Sequence, residues 1–205
     1  MVWGVLRAEL LWVETFTCLL FGVSPATVCR VIQRLGPLLA IESAPRPVAD
    51  VKRLWIVDGT LVPVRDRTVA ASWRNYRFSA NVQVIIDAGS RLVIASARPV
   101  PGNKADARAW GESDLRAIAA GTTVIADGAY LGTRLVVPHR RRAGRPLLRG
   151  QEEDDAQHRR VRARVEHAFA RMKNWKILRD CRQEGDGLHR AIQAVATMHN
   201  LAMAG

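Results

Sequence analysis

The strongest signals for the fold of this sequence are two short stretches, LWIVDG at residues 54–59 and VIADG at residues 124–128. Each begins with consecutive apolar residues, a pattern typical of a strand that is buried on both faces of a sheet. Each ends in an aspartate followed by a glycine, Asp58-Gly59 and Asp127-Gly128. We therefore expect two interior strands whose ends carry carboxylates to one edge of a sheet, where ligand sites gather in α/β folds.

The sequence around these two stretches predicts the rest of an α/β domain. Strands are indicated by apolar runs, and helices by apolar residues at three- and four-residue steps. The predicted strands cover 61–64, 81–87, 92–97 and 135–137, and the predicted helices cover 104–120, 156–178 and 187–203. Short turns join the early strands, which favours an antiparallel meander. This order predicts a mixed sheet with flanking helices.

The two aspartates predict a cation site if their strands are neighbours. Two like charges that converge are costly unless a cation lies between them. Magnesium suits such a site, because it is bound by one or two carboxylates together with substrate phosphates. The alternative is that Asp58 and Asp127 each begin a turn, which is a common role for Asp-Gly.

A third carboxylate, Glu166, lies on the predicted helix 156–178 among cations. At helical spacing it shares one stripe with Arg159, Arg162 and Lys173. A lone carboxylate among cationic side chains fits a site that binds phosphates and a metal ion. The alternative is a surface ion pair between Arg162 and Glu166, which are four residues apart.

These residues resemble the catalytic domain of DDE transposases of bacterial insertion sequences, of the kind related to Harbinger-type elements. The matching segments are LWIVDGTLVPV, NYRFSANVQVIIDAGSRLVIASARPVPGNKADARAW, VIADGAYLG and RVRARVEHAFARMKNWKIL. The resemblance implies a ribonuclease H-like fold and an Asp-Asp-Glu triad, Asp58, Asp127 and Glu166, that holds two Mg²⁺ ions, with Mn²⁺ as a substitute.

The helix signature of that family also matches in part, and the sequence departs from the family's pattern at two places. The arginine before its glutamate and the lysine after it correspond to Arg162 and Lys173. The tyrosine of the signature falls at Arg159, and the family's Asp-x-Gly-Tyr appears here as Asp127-Gly128-Ala129-Tyr130, with the glycine moved by one position.

The amino-terminal residues predict a separate DNA-binding segment. Residues 15–36 match a helix-turn-helix, in which Ser24-Pro25 begins a second helix that offers Arg30 and Arg34 to the major groove. The alternative is an ordinary helical hairpin packed on the main domain. We expect a helical segment at 1–41, a linker at 42–50 that contains two prolines, and a catalytic domain at 51–205.

The charge of the chain points to nucleic acid as its partner. It contains 31 lysines and arginines against 19 acidic residues, a net charge of +12, which favours polyanions. Further candidate DNA contacts are cations at Arg74, Arg77, Arg140, Arg141 and Arg142. A charge run is often only a solvated loop.

The sequence therefore predicts a DNA transposase that cuts and joins strands with its Asp-Asp-Glu triad. Its partners would be double-stranded DNA, namely the terminal inverted repeats and the target, and a second copy of the chain. Three scattered cysteines and no membrane-spanning run favour the cytoplasm and the nucleoid. The alternatives are a DNA-binding protein without catalysis and a ribonuclease H-like nuclease that cuts but never joins strands.

Overall fold

The computed structural model describes residues 52–73 and 77–204, together with positions 22–24, 26, 27, 30, 31, 34, 35 and 38. The strands are β1 (Leu54–Pro63), β2 (Ala71–Trp73), β3 (Arg77–Asp87), β4 (Val93–Ser96), β5 (Val100–Pro101) and β6 (Thr123–Ile125). The helices are α1 (Asp106–Glu112), α2 (Leu115–Ile118), α3 (Arg149–Met172) and α4 (Gly187–Ala204), with 3-10 turns at Gly128–Tyr130 and Lys176–Leu178.

These strands form one mixed sheet with β3 at its centre. β1 pairs with β3 antiparallel along one side, while β2, β5 and β4 pair with successive parts of its other side. β6 lies beyond β1 and runs parallel to it. The predicted α/β class, a mixed sheet with flanking helices, is confirmed, and it is consistent with a ribonuclease H-like domain.

The sheet separates two apolar clusters, because side chains alternate between its faces. Ile56 of β1 packs with Val165 of α3 and Ile192 of α4 on one face. Trp55 and its neighbours pack with α1, α2 and the turn after β6 on the other. By the same alternation Asp58 projects towards α3, on the face where Ile56 is buried.

The prediction that β1 ends at Asp58 is wrong. β1 is one ten-residue strand, so 54–57 and 61–64 are not separate strands. The reason is β3, whose eleven residues pair without interruption along β1 from Trp55↔Asp87 to Pro63↔Ser79. Asp58 and Gly59 therefore have strand partners and do not begin a turn. The predicted strand at 135–137 is also wrong, since only Val136 forms a bridge, to Ile125.

The helices also differ from their predicted limits. The helix predicted at 156–178 begins at Arg149. The prediction started too late because the first two turns are polar and the apolar periodicity begins after them. The helix ends at Met172, before the predicted limit of 178, and Trp175 beyond it is 45% exposed. The helix predicted at 104–120 divides at Ser113, whose N–H and hydroxyl both donate to the carbonyl of Trp110. No described helix is both long enough and apolar enough to cross a membrane.

Candidate active site

The side chain of Asp58 is buried beneath α3. It is only 14% exposed, and its Oδ1 accepts a hydrogen bond of 2.9 Å from the N–H of Gly59. Burial raises the pKa of Asp58 above its ordinary value, and the Arg162 guanidinium partly offsets that effect. A carboxylate that is costly to ionise in isolation is well placed to gain from a cation.

Asp127 stands beside Asp58 because the parallel pairing of β1 with β6 ends just before both residues. The last paired residues are Ile56 and Ile125, and each aspartate lies two positions further along. Asp127 caps the following 3-10 turn, where its Oδ1 accepts a hydrogen bond of 2.8 Å from Ala129. Its negative charge contributes to the raised pKa of Asp58. The structure thus brings the two predicted aspartates within electrostatic reach of each other.

Glu166 is connected to this pair through Arg162. Arg162 donates from Nη2 to Oδ2 of Asp58 at 3.2 Å, and the same nitrogen lies 3.6 Å from Oε1 of Glu166. The expected alternative, an Arg162–Glu166 pair, is therefore present, although Arg162 is 18% exposed and its hydrogen bond goes to Asp58. Glu166 is 62% exposed at the rim of the site.

The three carboxylates do not form one compact ligand set. Within the described ranges, no three His, Cys, Asp or Glu side chains are grouped so that they could hold one ion. Asp58 and Asp127 nevertheless supply the donor chemistry that Mg²⁺ selects, two carboxylates without nitrogen or sulfur ligands. The donor types fit a divalent cation, and Arg162 supplies the positive charge at Asp58 in this arrangement.

A buried polar network lies on the other face of β1. Gln83 donates from Nε2 to the carbonyl of Asp106 at 2.9 Å and to the hydroxyl of Tyr130 at 3.1 Å. Asn81 donates to Oδ1 of Asp106 at 2.7 Å. Burial, followed by the charges of Asp106, Asp58 and Asp127, raises the pKa of Tyr130, so its hydroxyl stays neutral. This network ties α1, β3 and the turn after Asp127 together.

The network leaves room only for glycine next to Asp58. A Cβ on Gly59 would lie 2.4 Å from Oδ1 of Asp106 and 3.2 Å from Oδ1 of Asn81. A cleft of about 370 Å³ opens beside this contact, between Gly59, Asp106 and Ala129. Sequence reasoning missed Asn81, Gln83 and Tyr130 as parts of the site. The signal was available in ANVQVIID, where polar residues alternate with apolar ones in a strand that is buried on both faces.

Apart from Arg162 and the amino-terminal Arg30 and Arg34, the predicted DNA-contacting cations fall into three groups. Lys173 is half-buried beside the site, and burial lowers its pKa while the charge of Asp58 opposes that effect. Arg140, Arg141 and Arg142 are exposed in the segment before α3, and an Arg142–Arg145 bridge closes the turn that begins at Arg142. Arg74 lies outside the described residues, and Arg77 is described only by its backbone at the start of β3.

The described positions of the amino-terminal segment include the start of its second predicted helix. The N–H of Thr27 donates to Oγ of Ser24 at 3.2 Å, as expected of a capping serine. Arg30 and Arg34 are helical and exposed, and Arg30 donates to the carbonyl of Ala26. The remainder of the helix-turn-helix at 15–36 and the whole linker at 42–50 lie outside the described residues.

Comparison with known proteins links this geometry to one family. Residues 50–201 match the family model described as the transposase DDE domain. Over 187 residues the chain is 54% identical to the "Putative transposase for insertion sequence element IS112" of Streptomyces albus G, covering 91% of this chain and 72% of that protein. No solved structure is significantly similar to the chain.

Proposed function

This chain belongs to the transposase DDE domain family, and on that basis we propose that it is the DNA transposase of an insertion sequence. It cuts DNA strands at the ends of its element and joins them to target DNA. The observation that carries this proposal is the convergence of Asp58 and Asp127 where β1 and β6 stop pairing, beneath a helix that presents Glu166.

The positions of the site residues support the following proposed roles. Asp58, Asp127 and Glu166 would hold two divalent cations, Mg²⁺ or Mn²⁺ in its place, with Glu166 contributing from the rim of the site. Two bound ions would activate an attacking hydroxyl and stabilise the leaving oxygen of an in-line displacement. Arg162 and Lys173 bind the phosphates beside the cut, where Arg162 exchanges its contact with Asp58 for one with DNA.

Cleavage and joining are the same displacement with different partners. In cleavage, a water oxygen forms a bond to phosphorus, the bond from phosphorus to the 3′-oxygen breaks, and that oxygen takes a proton. In joining, the released 3′-hydroxyl attacks a phosphorus of the target strand and displaces another 3′-oxygen. The three carboxylates are therefore needed for both steps.

Duplex DNA is the partner that the charge distribution supports. The net charge is +12, and the arginines at 140–142 are exposed together on one loop. Exposed Arg30 and Arg34 suit major-groove contacts by the segment 1–41, upstream of the linker 42–50 and the catalytic domain 51–205. The protein acts as a homodimer that holds paired element ends. It works on the DNA of the nucleoid, in the cytoplasm.

A second candidate function, DNA binding without catalysis, is favoured by two observations. Arg162 forms an ion pair with the carboxylate of Asp58, and the described residues contain no group of three side chains placed so that they could hold one ion. The two functions differ in whether DNA is cut, so a cleavage assay separates them. A nuclease that cuts but never joins is separated in the same assay by the absence of joined products.

The decisive experiment compares Asp58→Asn with the wild type on a supercoiled plasmid that carries the gene and its flanking DNA. We expect Mg²⁺-dependent nicking by the wild type, none by Asp58→Asn, and similar plasmid affinity for both. Asp154→Asn is the matched control, because its carboxylate is 78% exposed on α3. Nicking by Asp58→Asn, or equal loss of binding and nicking, would contradict the assigned role.

A further inference from the structure

From the grouping of basic side chains between α3 and α4, we infer a second binding site for the phosphodiester backbone of duplex DNA. This basic cleft has a volume of about 260 Å³. Its lining includes Arg91, Arg164, His167, Arg171, His199 and Met203. The inference rests on the proposed function, to which it adds a place for a second DNA segment away from the carboxylates.

The charge of the basic cleft is not neutralised by protein carboxylates. It is lined by three guanidinium groups and two imidazoles and by no acidic residue. In the part of the chain that the structure describes, Arg91, Arg164 and Arg171 form no ion pair, whereas Arg98, Arg108 and Arg149 each pair with a carboxylate. Three uncompensated arginines around one concave surface attract a polyanion.

Two of the arginines are held in place yet keep free donors. Arg164 donates from Nη1 to the carbonyl of Ala88, and Arg171 donates from Nη1 to the sulfur of Met203. A guanidinium has five N–H donors in a planar fork, so each of these groups retains donors for a ligand. An anchored guanidinium loses less conformational freedom when it contacts a phosphate, which favours binding.

The third arginine occupies a backbone conformation that favours glycine. Arg91 has a φ of +64° in the turn between β3 and β4, a region that side chains adopt at a cost. Its carbonyl accepts a hydrogen bond of 3.2 Å from Nε2 of the buried His199, and its N–H donates to Asp87 at 2.8 Å. These bonds hold a strained residue so that its side chain reaches the basic cleft, and such strain is concentrated at functional sites.

The basic cleft and the carboxylate site lie on different sides of α3. Arg164, His167 and Arg171 follow one another at three- and four-residue steps and share one stripe. Arg162, Glu166 and Lys173 share another stripe, and the buried residues Val165, Ala168 and Met172 lie between the two. One phosphate group cannot contact both stripes, so the basic cleft holds a different stretch of DNA from the one at Asp58.

The chemistry of the basic cleft indicates binding without sequence preference. Arginine contacts to phosphates position a duplex but carry no sequence information. The basic cleft therefore suits a DNA segment that the protein binds regardless of its sequence. Strand joining needs two DNA segments at once, and a cleft separate from the carboxylates can hold the second segment while the first is cut.

The test measures the salt dependence of binding to a short random-sequence duplex by fluorescence anisotropy. The variants are Arg164→Gln/Arg171→Gln and Arg91→Gly, and the matched control is Arg116→Gln, an exposed arginine of α2 on the opposite face of the sheet. Each lost phosphate contact should reduce the slope of log affinity against log salt by about 0.9. We expect a reduction of about two in the double variant, none in the control, and a correspondingly weaker affinity at low salt.

Arg91→Gly separates a binding role from a structural one. Because glycine relaxes the positive φ, we expect its melting temperature to equal or exceed that of the wild type while its DNA affinity falls. Unchanged slopes in both variants would overturn the inference. Plasmid nicking distinguishes it from the proposed function: if the wild type binds DNA through the basic cleft but never nicks, the proposed function fails and the second site stands.

Discussion

Arg162 of α3 donates a hydrogen bond of 3.2 Å to the carboxylate of Asp58 in β1, 104 residues earlier in the chain. Both side chains are largely buried, at 18% and 14% exposure. Burial still dominates, so the pKa of Asp58 remains above its ordinary value despite this partner. The guanidinium therefore stabilises a carboxylate that the protein holds in an environment unfavourable to its charge.

Replacing Arg162 should destabilise the protein when no divalent cation is present. In Arg162→Gln the buried carboxylate of Asp58 loses its charged partner, which should lower the free energy of unfolding by about 1–3 kcal/mol. Thermal or urea unfolding in a chelating buffer measures this change. Arg160→Gln is the matched control, since Arg160 is exposed on the same helix and should change stability little. Equal stability of the two variants would show that the contact contributes nothing.

Divalent cations should stabilise the wild type through the two aspartates. A ligand at a hundred times its Kd stabilises the folded state by about 2.7 kcal/mol. We expect Mn²⁺ to raise the melting temperature of the wild type and of Asp154→Asn. Asp58→Asn and Asp127→Asn should lose the response. Glu166→Gln should retain part of it, because Glu166 is exposed at the rim. A full response in Asp58→Asn would place the cation elsewhere.

A methyl group at position 59 should disturb the site from the face of β1 that lies opposite Asp58. In Gly59→Ala the new Cβ would lie 2.4 Å from Oδ1 of Asp106, so this carboxylate must move away from Asn81. Overpacking of this kind costs about 1–3 kcal/mol, and we expect plasmid nicking to fall further than DNA affinity.

Gly111→Ala is the control for that change. Gly111 lies in α1, and a Cβ added there would meet no other atom within 4 Å. Alanine in place of glycine in a helix should therefore raise stability by about 0.5–1 kcal/mol. Similar unfolding and nicking data for the two variants would contradict the proposed close contact between Gly59 and Asp106.

The sequence predicts those features that depend on local pattern. The apolar runs that end at Asp58 and Asp127 predict two buried strands, since continuous burial leaves a continuous apolar signature; that the two strands are neighbours is a finding of the structure. The helical stripe places Arg162 and Glu166 on one side of α3. The serine cap at Ser24 is also a local signal, and the hydrogen bond from Thr27 confirms it.

Features that depend on distant partners could not be predicted in the same way. β1 continues through Asp58-Gly59 because β3 pairs with it, and no local pattern indicates the length of that partner. The first turns of α3 are polar on all sides, so they carry no apolar periodicity. Arg91 and Arg171 line one cleft only after a hairpin and two helices have packed, and their spacing in the chain contains no signal for it.

Arg65 should stabilise the protein in a pH-dependent way through Asp180. Its Nε and Nη2 donate to the two carboxylate oxygens of Asp180 at 3.2 and 3.1 Å, joining the chain after β1 to the segment after α3. The guanidinium of Arg65, together with that of Arg182, lowers the pKa of Asp180 below its ordinary value of 3.8. A lowered carboxyl pKa in the folded state stabilises the protein above the pKa of the unfolded chain.

The stability difference between the wild type and Arg65→Gln should therefore depend on pH with a defined sign. It should be full near neutral pH and decline as the pH falls below about 4, where Asp180 takes up a proton. Because Arg65 is 54% exposed, the difference should be below about 1 kcal/mol. Urea unfolding across the acid range measures it, with Arg179→Gln as the exposed neighbouring control. A difference that stays constant through this range would mean that Arg65 acts by packing, since only the ionised carboxylate of Asp180 gains from the charge of Arg65.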